Sequence, residues 1–259
     1  MKINFFGCSF TEGGGLDNFD YYNSLTGKNF KMDAPTNEQF EEVRLFKQQN
    51  RYSEVVGNIL NLKTFNYAIG CNSNEGILKN LIDVSNSENT NEGDIFVVQT
   101  SFFSRKFYWY EPFNEFLSIN ALNPSDWPFR NKEEWMPLHQ LHNLNVQYCH
   151  NEQYEIDKLI QNMKIYNAYF EKIGLKLFWV PWPDLTLETY PSKIDEYNKK
   201  MLEEIPNTIY FNDMSMGRYC SNNKLLIFND LKESKDSHKS LKGHKIIGEK
   251  IAEYLKDKI

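Results

Sequence analysis

Two short segments at opposite ends of a chain of 259 residues hold side chains suited to nucleophilic chemistry. Near the start, Ile3-Asn4-Phe5-Phe6 runs into Gly7-Cys8-Ser9-Phe10-Thr11 and then Gly13-Gly14-Gly15. Near the end, Asp236-Ser237-His238-Lys239-Ser240 precedes Leu241-Lys242-Gly243-His244. A serine hydroxyl becomes a useful nucleophile when a base removes its proton, and imidazole is such a base when a carboxylate orients it. An acid two residues before a histidine, just ahead of a helix, suits that pairing. Each segment also has a plainer reading. The glycines make a tight turn with Ser9 capping the next helix, or Asp236 and Ser240 cap a charged surface segment.

The elements that would position these residues alternate between strand and helix. The apolar run 3–6 reads as a buried strand ending in a glycine turn. Residues 64–70 and 95–101 read as the second and third strands, the latter β-branched and apolar on both faces as parallel strands are. Residues 175–180 form a fourth, stopped by Pro181 and Pro183. Residues 208–211 form a fifth. Between them, apolar spacing predicts helices over 52–62, 74–82, 154–173, 193–204 and 241–255. Strands alternating with helices imply right-handed crossovers and a parallel sheet covered on both faces. Ligands bind at the carboxyl ends of such strands, which puts Ser9 on the rim of a crevice. Ser240 is the expected N-cap of the last helix, with His238 on the loop above it and His244 packed one turn in. Residues 16–50 and 102–150, rich in aromatics, read as insertions at one rim of a single domain spanning 1–259.

Composition narrows the class. The net charge of −6 and the scattered lysines leave no electrostatic footprint for nucleic acid. No stretch is long enough to span a membrane. The apolar run after Met1-Lys2 stops at Gly7 without a cleavage-like site, so no signal peptide is expected and the expected compartment is the cytoplasm. Cys8, Cys71, Cys149 and Cys220 form no CxxC pair and read as free thiols.

Taken together, the two ends resemble the SGNH (GDSL-like) hydrolase family. Gly7-Cys8-Ser9-Phe10-Thr11 stands where that family has its GDSxT nucleophile block. Asp236, His238, Ser240, Gly243 and His244 match the variant final block Asp-x-His-Pro-Ser-x-x-Gly-His, and Gly70 matches the block II glycine. The resemblance implies a three-layer α/β/α sandwich, flavodoxin-like, with a parallel sheet of about five strands. It implies a serine esterase acting through an acyl-enzyme, with no cofactor and no metal. Ser9 would be the nucleophile, His238 the base and Asp236 its orienting acid. The oxyanion would be bound by the backbone N–H groups of Ser9 and Gly70 and by an Asn amide. Three positions depart from the pattern. Cys8 replaces the aspartate beside the nucleophile, Lys239 replaces proline, and Gln99-Thr100-Ser101 replaces Gly-x-Asn-Asp, which removes the usual oxyanion asparagine. Asn74, or second Asn72, is the replacement within reach of the Gly70 turn; a helix N-cap is the other reading of Asn74.

Substrate contacts are read from fewer residues. Arg105, after the third strand, suits an acidic or hydroxylated substrate or a structural ion pair. Trp109, Trp127, Trp179 and Trp182 suit a sugar-stacking wall or packing. His139, His142, Cys149 and His150 match no common zinc spacing. Gly13-Gly14-Gly15 lacks the Lys-Ser/Thr of a phosphate loop. The leading expectation is an esterase removing acyl groups, acetyl above all, from a carbohydrate or similar small polar molecule. An O-acyltransferase on the same site and a non-catalytic carbohydrate-binding or assembly module are the alternatives. Oligomeric state is not legible.

Overall fold

A computed structural model describes residues 1–31, 35–103, 105–110, 115–119, 132–148, 151–182, 191–231, 234 and 236–259. Four strands, β1 (Ile3–Phe6), β2 (Thr64–Asn66), β3 (Ile95–Gln99) and the later β6 (Lys176–Val180), form one parallel sheet in the order β2-β1-β3-β6. Every residue of β1 and β3 is buried, including the polar Asn4 and Gln99, as the largely apolar runs predict for strands covered on both faces.

Successive side chains leave a strand on opposite faces, and the core divides accordingly. Ile3, Phe5, Val97, Phe178 and Val180 pack on one face against α4 (Tyr52–Leu60) and α11 (Leu241–Lys256). Phe6, Phe96, Val98, Leu177 and Trp179 pack on the other. Their partners are α5 (Asn74–Ser85), α7 (Glu152–Lys172) and α8 (Pro191–Glu204). The result is three layers. Ser240 caps α11 by accepting a hydrogen bond from the Gly243 N–H at 3.2 Å, as its position before the apolar stripe predicts.

The expected fifth strand is reduced to one bridge, Trp179 to Thr208. Asn207 on one side and Asn212-Asp213 on the other adopt left-handed backbone, which confines any extended stretch to 208–211. The first rim segment contains α2 (Phe19–Thr26) and α3 (Asn37–Asn50) beyond the short α1 (Ser9–Glu12). The second holds an antiparallel pair, β4 (Lys106–Tyr110) and β5 (Glu115–Ile119), and α6 (Lys132–Tyr148). Residues 214–235, read from sequence as irregular, include α9 (Met216–Asn222) and α10 (Ile227–Asp230). Among the described residues no helix is long and apolar enough to cross a membrane.

Candidate active site

The loop after β1 delivers Ser9 as the first residue of α1, at the carboxyl edge of the sheet. Buried polar contacts fix that short helix from several elements. The Thr11 hydroxyl donates to Gln99 Oε1 at 2.8 Å and accepts from the Tyr52 hydroxyl at 2.9 Å. The Thr11 carbonyl accepts from Asn66 Nδ2 at 2.8 Å, and the Phe10 carbonyl accepts from Lys239 Nζ at 2.6 Å. Gln99 also donates to Cys8 Sγ at 3.4 Å. Cys8 is therefore turned into the sheet, and Ser9 is the side chain of this turn that meets the imidazole.

Ser9 Oγ lies 2.9 Å from His238 Nε2, and His238 Nδ1 lies 2.6 Å from Asp236 Oδ1. The His238 backbone N–H also donates to that oxygen, at 2.9 Å, so one carboxylate fixes both the ring and its peptide. With Nδ1–H donating to the carboxylate, Nε2 presents its lone pair to the serine hydroxyl. Burial of Asp236 opposes its ionisation. Hydrogen bonds from the His238 ring and backbone and from the Asn18 side chain, with the charge on His238, outweigh that and hold its carboxyl below the usual carboxylate range. The two-residue spacing thus suffices to close the contact.

The glycine run does more than turn the chain. A Cβ on Gly14 would lie 2.9 Å from both Nε2 and Cδ2 of His238, and one on Gly15 would lie 2.7 Å from His238 Cβ. Gly15 also has φ of +89°, which side chains resist. The imidazole is thus seated directly on the backbone of the loop that carries Ser9, with the Phe10 ring 4.7 Å away, centroid to centroid. From α3, Lys47 reaches Glu12 at 3.1 Å and Asp17 at 2.8 Å, clamping the two sides of this loop.

The expected oxyanion donors fall at the same edge. Gly70 is exposed in the turn after β2, with the Glu12 carboxylate beside it. Asn74 is the first residue of α5, but Ser73 is the cap, accepting from the Gly76 N–H at 3.1 Å. The Asn74 carboxamide instead exchanges two bonds with the Ser101 peptide, accepting at 2.7 Å and donating at 3.1 Å. An amide nitrogen has two hydrogens, so a second remains on Nδ2. Asn72 is buried, and its carbonyl accepts from Arg105 Nη1 at 3.4 Å. Trp109 stands on β4 opposite Phe116, and its side chain lies outside the described residues, as does Trp127. Trp179 and Trp182 are buried in the core and form no sugar-stacking wall. Cys8, Cys71 and Cys220 are free thiols. Cys149, His150 and the His139 side chain lie outside the described residues, while His142 Nδ1 meets the Tyr108 hydroxyl at 3.3 Å. Among the described residues no group of three His, Cys, Asp or Glu is placed to hold a metal ion.

Sequence reasoning missed Thr11, Gln99, Lys47 and Lys239 as supports of the site. Gln99 carried a signal, a polar residue ending an otherwise apolar buried strand.

Fold and site together define an α/β protein with a serine, a histidine and an aspartate hydrogen-bonded in series at the edge of a parallel sheet. No family model matches the sequence, and no curated protein does. Among solved structures the chain is similar to a protein assigned to the lipolytic G-D-S-L family from Desulfitobacterium hafniense DCB-2. That match covers 98% of this chain and 99% of the other at 12% identity, with a TM-score of 0.48. It is also similar to the acetyl xylan esterase Est2A from the rumen bacterium Butyrivibrio proteoclasticus, covering 99% of this chain and 64% of that one at 12% identity and TM-score 0.41. A third is a carbohydrate esterase whose active site displays divergent catalytic and non-catalytic binding functions. Here 98% of this chain and 68% of that one match at 11% identity and TM-score 0.48.

Proposed function

We propose that this protein is a serine hydrolase that cleaves acyl esters of a polar, carbohydrate-like alcohol. The observation that carries the reading is the unbroken series from Ser9 Oγ to His238 Nε2 at 2.9 Å and from His238 Nδ1 to Asp236 at 2.6 Å. In this reading His238 takes the Ser9 proton as Oγ attacks the ester carbonyl, and Asp236 stabilises the resulting imidazolium. The N–H groups of Ser9 and Gly70 and the remaining Asn74 hydrogen receive the oxyanion. Collapse expels the alkoxide, which takes the proton back from His238. Water, deprotonated by the same base, then releases the acid from Ser9.

A polar substrate is favoured by the rim. A groove of about 280 Å³ beside the glycine loop is lined by Phe19 and the half-exposed Phe40 together with Asp17, Arg44 and Lys47. Phe40 is the exposed ring of this groove, beside the buried Phe19 and Val43, and its charged neighbours can hydrogen-bond the hydroxyls of a sugar stacked on it. The test is hydrolysis of short p-nitrophenyl esters and of acetylated sugars by the wild type and by Ser9→Ala. The variant should fold and lose activity by several orders of magnitude.

A further inference from the structure

Among the described residues two buried cations have no carboxylate partner, Lys239 and Arg105, and Arg105 is the one whose guanidinium keeps an unbonded nitrogen. It is only 6% exposed, and among the described residues no carboxylate lies within ion-pair distance of it. Its Nη1 donates to Ser101 Oγ at 3.0 Å and to the Asn72 carbonyl at 3.4 Å, and the Phe102 ring lies 4.8 Å from its central carbon. Its Nε is buried with no hydrogen-bond partner. A buried cation without a counter-ion is costly, and an anionic ligand would offset that cost.

Its neighbours do not supply that charge. Arg105 lines a small cavity of about 20 Å³ with Asn74, Glu75, Glu155 and Lys158. Glu75 is engaged by Lys158 at 3.3 Å, and Glu155 is engaged by Lys106. The two carboxylates therefore answer the two lysines, and the guanidinium is the positive charge left over. Location adds to this. In the sheet β1 lies between β2 and β3, so a side chain tying Asn72, after β2, to Ser101, after β3, stands at the same edge as the Ser9 loop. Asn74, which lines the cavity, grips the same Ser101 peptide.

We propose that Arg105 is a substrate-anchoring residue for a carboxylate, and that the ester substrate carries one, as a uronic-acid sugar does. The Nε and Nη2 hydrogens lie side by side on a guanidinium and match the two oxygens of a carboxylate. Nη1 is already committed to the protein, which fixes the plane of that fork. The inference rests on the hydrolase reading only in taking the bound carboxylate to belong to the substrate.

The experiment is a thermal-shift titration with sodium glucuronate, with glucose, sodium phosphate and sodium sulfate alongside, all at ionic strength matched with sodium chloride. It is run on wild type, Ser9→Ala, Arg105→Met and Arg105→Lys. Near-saturating glucuronate should raise the melting temperature of wild type and Ser9→Ala by roughly 5 °C, and the other additives by much less. Arg105→Met should lose the glucuronate shift while melting no lower than the unliganded wild type, because it removes a buried unpaired charge. If Arg105→Met does not fold, Arg105→Lys decides, since it keeps the charge and loses the fork; its affinity should fall at least about tenfold. No glucuronate-specific shift in wild type, a shift that survives both substitutions, or an equal response to phosphate or sulfate would overturn the proposal. Binding needs no turnover. A glucuronate shift in a protein that hydrolyses no ester removes the hydrolase reading alone, and ester hydrolysis without the shift removes the carboxylate site alone.

Discussion

Lys239 Nζ donates to the carbonyl of Phe10, one residue after the candidate nucleophile, at 2.6 Å from a position with no solvent exposure. The rings of Phe10, Tyr52 and Trp182 surround the ammonium at 4.9–5.3 Å. Lys239 follows His238 directly, so one residue couples the loop carrying the base to the helix carrying the hydroxyl. Burial pushes its pKa down to about 8, with Cys220 and Cys8 acting in the opposite direction. In the unfolded chain a lysine titrates near 10.5. Between pH 10.5 and 8 the unfolded chain therefore holds a proton that the folded one lacks, and stability falls as pH is lowered through that window. Below pH 8 the contribution is flat. Comparison with Lys239→Met cancels the buried tyrosines. The stability of wild type relative to the variant should decline by up to roughly 3 kcal/mol from pH 10.5 to 8, measured by urea denaturation. Parallel curves would show that the ammonium is not desolvated.

His244 holds a different place from His238. Its Nδ1 accepts the Tyr52 backbone N–H at 3.2 Å, joining α11 to the start of α4, and the ring has no solvent exposure. Burial, aided by the charges of Lys239, His238 and Arg51, holds its pKa well below the ordinary histidine range, so it is a neutral packing group. His244→Ala should cost roughly 2–3 kcal/mol of stability through a cavity and a stranded donor. Its kcat below the melting transition should stay within a few-fold of wild type. A collapse of kcat in a folded His244→Ala protein would place this ring in the chemistry.

Asn74 and Ser73 separate stability from catalysis on adjacent residues. Ser73 is the cap, so Ser73→Ala should lower stability by about 1 kcal/mol. Asn74→Ala removes both the bond to the Ser101 peptide and the amide proposed for the oxyanion. A fall in kcat of about 10²–10³ with KM much less changed is expected, because that contact strengthens as charge develops. An unchanged kcat, with lower stability alone, would leave Asn74 as a strut for the β3 exit loop.

Gly14 has no left-handed backbone, so alanine is not excluded there by φ, although its Cβ would lie 3.0 Å from the Ser9 carbonyl oxygen. The added Cβ would also press on the His238 ring at 2.9 Å. Gly14→Ala should lower kcat by roughly 10²-fold, as sub-ångström to ångström misplacement of a catalytic group does, with a loss of stability of about 1–3 kcal/mol from the crowding. Wild-type kcat would mean the ring does not bear on that loop.

Much of the layered fold is legible because parallel strands buried on both faces, such as 3–6 and 95–99, leave short, largely apolar runs. The helices beside them leave apolar stripes. Ser240 is legible as a cap because the polar residue stands directly before such a stripe. The supports of the site are not legible, since their partners are distant in sequence. Nothing in Lys47 announces two acidic partners on the Gly13–Gly15 loop, and Lys239 reads as one more surface lysine until Phe10, Tyr52 and Trp182 close around it. The fifth strand fails for a local reason, since a propensity-based reading of 208–211 does not register the left-handed asparagines flanking it. The two carboxamide bonds of Asn74 to the Ser101 peptide likewise depend on where β3 ends relative to α5.

The most direct measurement is covalent labelling with a fluorophosphonate, followed by peptide mass spectrometry. The probe forms a stable bond only with a serine whose proton is removed at the moment of attack. A single adduct is expected on Ser9, abolished by His238→Ala as well as by Ser9→Ala. No adduct on a folded protein, or one that survives the loss of His238, would contradict a hydrolase built on Ser9, His238 and Asp236.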